Sequence, residues 1–81
     1  MHQTYILKSL GLNKYYIGST DNLKDRLIRH NSGRNKSTKN YRPWKIIYTE
    51  SFKTKQEAYK REMQIKSYKG GQAFKKMIGD K

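Results

Sequence analysis

Two short apolar runs near the start of the chain alternate with polar residues, and each run contains a tyrosine. Tyr5 lies in a strand predicted over residues 3–8, and Tyr16 lies in a second strand predicted over residues 14–19. Gly11 stands between the runs, and glycine tolerates the positive φ of a tight turn. The pattern therefore predicts a β-hairpin whose two tyrosines come within cross-strand reach of each other.

Residues 19–22 are of the types that cap helix N-termini, and they predict a helix over residues 22–30. A stripe of leucines marks the buried face of this helix. Arg26 and His30 are four residues apart, so both lie on one face, which adjoins the leucine stripe. We therefore expect both side chains at the edge of the buried side, near the sheet.

Three more elements follow a loop over residues 33–43. A strand is predicted over residues 44–51, and its apolar residues fall on both faces, which indicates that both faces are partly covered. A longer helix over residues 55–68 begins at a capping box, and a short helix over residues 72–78 comes last. The order strand, strand, helix, strand, helix, helix predicts one α+β domain over residues 1–81, with helices packed on a sheet.

The charge balance makes this small domain strongly basic. Its 81 residues contain 19 Lys and Arg against 6 Asp and Glu, which gives a net charge of +13. Such a charge favours polyanions, with nucleic acid as the first candidate and an anionic membrane surface as the second. An AT-rich genome, whose codons favour lysine, is the alternative explanation, although it accounts less well for the scarcity of acidic residues.

Residue types and segments that the chain lacks narrow the functional classes further. There is no cysteine, which excludes disulfides, thiolate metal sites and cysteine nucleophiles. No apolar run approaches the ~20 residues that span a bilayer, and none near the N-terminus is typical of a signal peptide. We therefore expect a soluble cytoplasmic protein without a membrane partner.

Glu62 is a carboxylate on the predicted inward face of the longer helix, because it follows Ala58 by four residues and precedes Ile65 by three. Two explanations stay open for it. The structural explanation is an ion pair with a basic side chain. The functional explanation is a ligand to a divalent cation such as Mg²⁺, which would keep several waters because only one carboxylate is available.

The tyrosines also have two explanations. Most of the 7 tyrosines are expected to build the core and stacking surfaces of so small a domain. Hydrolysis of a phosphodiester, however, needs a base for water, a cation at the leaving oxygen and a positive group for the charge of the transition state. A phenol becomes a useful base only where nearby cations lower its pKa. Arg26, His30 and a bound metal ion could do so here.

The spacing of these residues resembles that of one known family, the GIY-YIG nucleases. Residues 4–6 and 16–18, with ten residues between their tyrosines, resemble the family signature. Arg26 stands ten residues after the second tyrosine, His30 follows four later, and Glu62 lies in a segment similar to the family's glutamate-bearing helix. The chain is most similar to small stand-alone bacterial members, which are related to the N-terminal nuclease domain of the excision nuclease subunit.

The resemblance implies a three-stranded antiparallel sheet flanked by helices, and a hydrolysis of DNA phosphodiesters that uses one divalent metal ion, Mg²⁺ or Mn²⁺. It implies that Tyr5 and Tyr16 position and deprotonate the attacking water, and that Arg26 binds the scissile phosphate. It further implies that His30 assists proton transfer or hydrogen-bonds Tyr5, and that Glu62 holds the metal ion. All five side chains are then expected to line one concave face.

Contacts to the substrate form a second group of expectations. The resemblance implies that Gly18 allows close approach of the substrate. Ser19 stands where excision-nuclease members carry a lysine, so a contact to phosphate or to a metal-bound water is expected to be absent there. The loop over residues 34–42, which we call the basic loop, is expected to bind phosphates without sequence specificity. The candidate substrate contacts are Gly18, Ser19, Arg34, Lys36, Lys39 and Arg42.

Three interpretations of function result. The first is a metal-dependent DNA endonuclease of low sequence specificity, acting in DNA repair or recombination. The second is a basic nucleic-acid-binding module on the same fold that cleaves slowly or not at all, which the serine at position 19 and the lack of an added targeting domain favour. The third is a basic adaptor for a protein partner, whose identity stays open. DNA is favoured over RNA as the nucleic acid.

Overall fold

The computed structural model describes residues 1–33 and 39–79. Three strands and three helices follow one another in the predicted order β-β-α-β-α-α, which confirms the α+β class. They are β1 (His2–Ser9), β2 (Tyr15–Thr20), α1 (Leu23–Ser32), β3 (Trp44–Phe52), α2 (Lys55–Ser67) and α3 (Gln72–Met77), with a 3₁₀ turn at Lys39–Tyr41 before β3. The predicted bounds differ from these by at most two residues at any end, as is usual where helices and strands fray.

β1 is the central strand of an antiparallel sheet with the order β2-β1-β3. The three-stranded antiparallel sheet implied by the family resemblance is therefore confirmed. In the hairpin of β1 and β2, Tyr5 pairs with Gly18, whereas Tyr16 pairs with Leu7. The two tyrosines are thus diagonal neighbours on one face of the sheet, with ring centroids 6.3 Å apart.

The alternation of side chains along β1 divides the core into two clusters, one on each face of the sheet. Tyr5 and Leu7 belong to the cluster that α1 covers. Ile6 packs on the opposite face with Ile65 of α2, and α3 completes that cluster. Because helices cover both faces, the middle of β1 is fully buried, and Ile46 and Ile47 of β3 pack in opposite clusters, in agreement with the two-sided cover predicted for the third strand.

Hydrogen bonds fix α1 and α2 against the sheet. Asn31 of α1 exchanges two bonds with the backbone of Trp44: its Nδ2 donates to the carbonyl at 3.2 Å and its Oδ1 accepts from the amide at 2.6 Å. On the other face, the buried hydroxyl of Thr4 donates to the carbonyl of Ala58 at 2.6 Å. These contacts hold both helices where their polar side chains reach the sheet.

Capping residues explain where α1 and α2 begin and end. Asn22 Oδ1 accepts a hydrogen bond from the amide of Asp25 at 3.0 Å, and Gly33 ends α1 in the left-handed region at a φ of 83°. The capping box predicted at the start of α2 is present, with Thr54 and Glu57 each bonding the other's amide.

None of the helices in the described part of the chain has the length and apolar character of a bilayer-spanning segment.

Candidate active site

Four rings meet on the face of the sheet that α1 covers, and we call them the aromatic cluster: Tyr5, Tyr16, His30 and Trp44. The Tyr16 ring centroid lies 4.6 Å from that of His30, which in turn lies 6.5 Å from that of Trp44. Tyr5 is 1% exposed and His30 is 0% exposed. The sequence-predicted residues Tyr5, Tyr16 and His30 are therefore brought together, but two of them lie inside the core and not on an open face.

His30 is placed to accept a hydrogen bond from Tyr5. Tyr5 Oη lies 3.5 Å from His30 Nε2, at the long end of the range for a hydrogen bond. Burial first, and then the charge of Arg26, lower the pKa of His30 below its usual value of 6.5. His30 is therefore neutral at pH 7, and in the tautomer with a bare Nε2 it accepts a hydrogen bond that the Tyr5 hydroxyl donates. This contact corresponds to the hydrogen bond with Tyr5 that the family resemblance implied.

The phenol of Tyr5 keeps its proton more tightly than an exposed tyrosine. Burial makes the largest contribution to raising the pKa of Tyr5, followed by the neighbouring Tyr16, while the charge of Arg26 opposes them. The charge of Glu62, on α2, raises the pKa of Tyr5 further. The expectation that nearby cations lower a phenol pKa is thus not met for Tyr5, because the effect of its burial outweighs that of the Arg26 charge.

Gly18 makes room for Tyr5. A Cβ at position 18 would stand 2.5 Å from Tyr5 Oη and 3.2 Å from Tyr16 Cε1. The first distance is far below a van der Waals contact, so any side chain here would displace the phenol. The space over Gly18 is therefore filled by the protein's own tyrosine, which differs from the close approach of substrate that the resemblance implied.

A cleft opens beside the aromatic cluster, where β1 begins, β2 ends and α2 begins. We call it the basic cleft, because Arg26 of α1, His2 and Lys55 all reach it. The Arg26 side chain forms no hydrogen bond or ion pair with any residue in 1–33 and 39–79. The full lining consists of His2, Ser19, Thr20, Asp21, Arg26, Lys55 and Ala58. A half-buried guanidinium that lacks a described partner is well suited to bind an anion in this cleft.

Glu62 lies just behind the wall of the basic cleft. Its Oε1 accepts a hydrogen bond from Ser19 Oγ at 2.7 Å, and Ser19 lines the cleft. Its Oε2 accepts one from Lys66 Nζ at 2.7 Å, on the next turn of α2. The Glu62 side chain is only 12% exposed. The ion pair expected from the structural explanation is therefore present, and the other carboxylate oxygen is bound by a serine that lines the cleft.

The donor atoms near Glu62 suit a hard cation that keeps most of its water. The described residues contain no group of three or more His, Cys, Asp and Glu side chains that could hold a metal ion. Glu62 would therefore be the single protein carboxylate, and Mg²⁺ or Mn²⁺ accepts such a site because water fills the remaining positions. The Lys66 ammonium would have to leave Oε2 for the ion to reach that oxygen.

Of the four basic side chains predicted as substrate contacts in the basic loop, the structure describes that of Arg42. Arg34 and Lys36 lie outside the described residues, as does the side chain of Lys39. The guanidinium of Arg42 lies over Gly33 at the end of α1, and Arg42 is not among the residues that line the basic cleft.

Two residues of the basic cleft, His2 and Lys55, were not predicted as site residues from the sequence. His2 begins β1, and Lys55 is the first residue of α2 after its capping box. The capping box located Lys55 at a helix start, which was the available signal for it. Nothing in the local sequence indicates that both starts lie beside Arg26, because that depends on how the sheet and two helices pack.

Fold and site together define a small α+β domain of the nuclease-like GIY-YIG class. The model of the GIY-YIG family, described as "GIY-YIG catalytic domain", matches residues 1–75 of this chain. The chain belongs to the GIY-YIG family, which confirms the resemblance identified from the sequence.

Related proteins are small and similar over most of their length. A UPF0213 protein of Staphylococcus haemolyticus is 40% identical over 75 residues, which cover 91% of this chain and 90% of that protein. A UPF0213 protein of Bacillus pumilus is 40% identical over 68 residues, which cover 83% of this chain and 68% of that one. The solution NMR structure of a UPF0213 protein from Bacillus halodurans is 30% identical, with a TM-score of 0.48 over 89% of this chain and 88% of that one.

Proposed function

We propose that this protein is an endonuclease that hydrolyses DNA phosphodiesters with low sequence specificity and depends on one divalent metal ion, Mg²⁺ or Mn²⁺. One observation carries the proposal: the unpartnered guanidinium of Arg26 shares a cleft wall with Ser19, whose hydroxyl binds the carboxylate of Glu62. An anion-binding group and a metal-binding group are thus adjacent, beside two phenols. By analogy with the excision nuclease subunit, its setting would be DNA repair or recombination.

In this proposal, Arg26 binds the non-bridging oxygens of the scissile phosphate and stabilises the charge that develops there. Glu62 holds the metal ion, which supplies Lewis-acid stabilisation of the leaving oxygen when bound. Ser19 keeps the Glu62 carboxylate turned toward the cleft through the 2.7 Å hydrogen bond. Ser19 is therefore a positioning residue, in place of the lysine that excision-nuclease members carry.

The two tyrosines take different roles. Tyr5 is buried and its pKa is raised, so it remains a phenol that donates to His30. Tyr16 is only half-buried, which makes it the phenol that can contact a water at the surface. We therefore assign the positioning of the attacking water to Tyr16, and its deprotonation to the phenolate form of Tyr16, whose oxygen takes up the water proton. Tyr5 and His30 then serve to hold the Tyr16 ring, which lies against both of them.

The net charge of +13 supports DNA as the ligand and low specificity as the outcome. Contacts to phosphates carry no sequence information, and the residues around the basic cleft are suited to phosphates rather than base edges. The charge also speeds association with any polyanion. We therefore expect binding that weakens steeply as salt is raised.

A second candidate function is a nucleic-acid-binding module on the same fold that cleaves slowly or not at all. The ion pair between Glu62 and Lys66 favours it, since the ammonium occupies the carboxylate oxygen that a metal ion would need. The raised pKa of Tyr5 also favours it, because a protonated phenol cannot act as a base.

The conversion of supercoiled plasmid to open circles in Mg²⁺ or Mn²⁺ distinguishes these functions. Glu62→Gln removes the proposed metal ligand. Glu57→Gln removes the same charge from the same helix, and glutamine preserves the capping box. The endonuclease proposal predicts that nicking is lost in Glu62→Gln and kept in Glu57→Gln. Equal nicking by all three proteins would indicate a contaminant, and no nicking in either metal with intact DNA binding would favour the binding module.

A further inference from the structure

The basic cleft is lined by more than one group that can bind a phosphate. Its basic side chains come from three different elements: His2 from β1, Arg26 from α1 and Lys55 from α2. Two hydroxyl-bearing residues lie between them, and the small Ala58, which is fully buried, leaves space at its floor. The cleft also contains one carboxylate, that of Asp21, which is exposed. Positive charge therefore outweighs negative charge along its length.

The two ends of the cleft face different neighbours. The charge of Arg26 acts on both Tyr5 and His30, so Arg26 marks the end next to the aromatic cluster. His2 is the first residue of β1 and shares with Thr4 the sheet face opposite Tyr5, and Lys55 begins α2, which covers that face, so both lie at the end away from the cluster. A phosphate that Arg26 holds beside the phenols would thus leave the far end of the cleft free.

The far end has the groups that bind phosphate. The Lys55 ammonium makes no hydrogen bond or ion pair with residues 1–33 and 39–79, so its donors are available to a ligand. The His2 imidazole carries an N–H donor whether it is neutral or charged. Each of the two is the first residue of its element, His2 of β1 and Lys55 of α2, and both line the cleft.

From this arrangement we infer that His2 and Lys55 form a second phosphate subsite, which binds the phosphate next to the scissile one in the same DNA strand. The inference rests on the proposed function for its ligand, a DNA strand whose cleaved phosphate lies at Arg26. The subsite fixes the direction of the strand across the cleft. It contacts only the backbone, so it adds affinity and orientation without sequence preference.

The test measures binding of a fluorescent DNA duplex at a series of salt concentrations, in EDTA. Loss of one phosphate contact lowers the slope of log affinity against log salt by about 0.9. We expect that decrease in Lys55→Gln, a smaller decrease in His2→Gln, and recovery in Lys55→Arg. Lys60→Gln is the matched control, because Lys60 is exposed on α2 and does not line the basic cleft. Thermal unfolding of each variant confirms that it is folded.

Equal slopes for Lys55→Gln and Lys60→Gln would overturn the subsite, since only net charge would then matter. An unchanged slope in both variants would overturn it as well. The absence of metal separates this result from the proposed catalysis: a protein that never cleaves DNA can still show the subsite. Conversely, Lys55→Gln could change neither the KM nor the salt dependence of metal-dependent nicking. That result would support the proposed nuclease function and overturn the subsite.

Discussion

The aromatic cluster and the basic cleft are adjacent, but they differ in burial and in charge. The cluster is made of closely packed rings, of which Tyr5, His30 and Trp44 are buried and Tyr16 is half-buried, and within the described residues no buried side-chain polar atom is left without a hydrogen bond. The cleft is made of cations on a protein that already carries +13, and neither Arg26 nor Lys55 has a described partner. Burial of a large apolar side chain contributes roughly 1.5–3 kcal/mol, whereas unpaired cations add repulsion. The cluster therefore stabilises the fold, whereas the cleft is the region to which the proposed function assigns the ligand.

Arg26 links the two regions. Its charge lowers the pKa of His30 and works against the raised pKa of Tyr5, although the side chain itself lines the cleft. A phosphate bound at Arg26 would compensate that charge and so change the protonation preferences of the buried rings. The comparison thus predicts which substitutions alter stability, which alter function, and which alter both.

The largest expected effect is on function alone. Arg26→Ala should slow plasmid nicking by about 100-fold or more, as the loss of a group that stabilises transition-state charge does. Its free energy of unfolding should change by less than about 0.5 kcal/mol, because no described contact is lost. Arg29→Ala is the matched control: Arg29 is exposed on the same helix and pairs with Asp25 at 3.0 Å. Nicking that falls equally in both variants would show that only net charge is needed.

The next effect is on stability. Gly18→Ala should destabilise the protein by about 1–3 kcal/mol, since the added Cβ meets Tyr5 Oη at 2.5 Å inside the packed cluster. Tyr5→Phe in the same chain should restore part of the loss by removing that oxygen. Gly11→Ala is the control, because nothing lies within 4 Å of its Cβ position. Urea unfolding measures all four proteins, and an unchanged midpoint for Gly18→Ala would contradict the packing described here.

A third effect depends on pH and comes from the cluster. Since the folded pKa of His30 lies below its unfolded value, the unfolded chain binds more protons over the range between the two. The contribution of His30 to stability is therefore complete above about pH 6.5 and decreases as the pH falls below it. His30→Gln should remove this part of the pH dependence of the urea midpoint, and His2→Gln should retain it. Stability that increases on acidification toward pH 5.5 would contradict a neutral, buried His30.

The smallest effect concerns the metal ligand behind the cleft. Lys66→Gln should tighten Mn²⁺ binding by less than about 5-fold, because an ion pair with an ammonium that is 47% exposed contributes at most about 1 kcal/mol. Lys69→Gln removes the same charge from a neighbouring exposed lysine and should have little effect. Isothermal titration with Mn²⁺ measures both. Weaker binding in Lys66→Gln would mean that Lys66 supports the ion and does not compete with it.

The sequence was most informative where local rules apply. Two-residue alternation predicted the hairpin with Tyr5 and Tyr16, and the capping box predicted where α2 begins. Helical spacing predicted that Arg26 and His30 lie on one side of α1. In the structure, His30 packs against Tyr16 of β2, and Arg26 lines the basic cleft. These features need only a few neighbouring residues, so the pattern of the chain suffices to predict them.

Features that depend on register and packing were not predictable in the same way. The role of Gly18 follows from its pairing with Tyr5, which the alternation alone does not specify. The hydrogen bond from Ser19 to Glu62 joins residues 43 positions apart, whereas the sequence predicted only that a lysine contact would be absent at position 19. The pKa of Tyr5 likewise depends on burial, which outweighs the nearby cation.

Paramagnetic broadening by Mn²⁺ tests most directly the claim that the cleft side of the molecule holds the metal ion. The ¹⁵N-labelled protein would be titrated with Mn²⁺ in the presence of a short DNA duplex, with Glu62→Gln as the comparison. The account predicts that amide signals around Glu62 and Ser19 broaden first in the wild-type protein and persist in Glu62→Gln. Broadening centred on another carboxylate, or equal in both proteins, would contradict it.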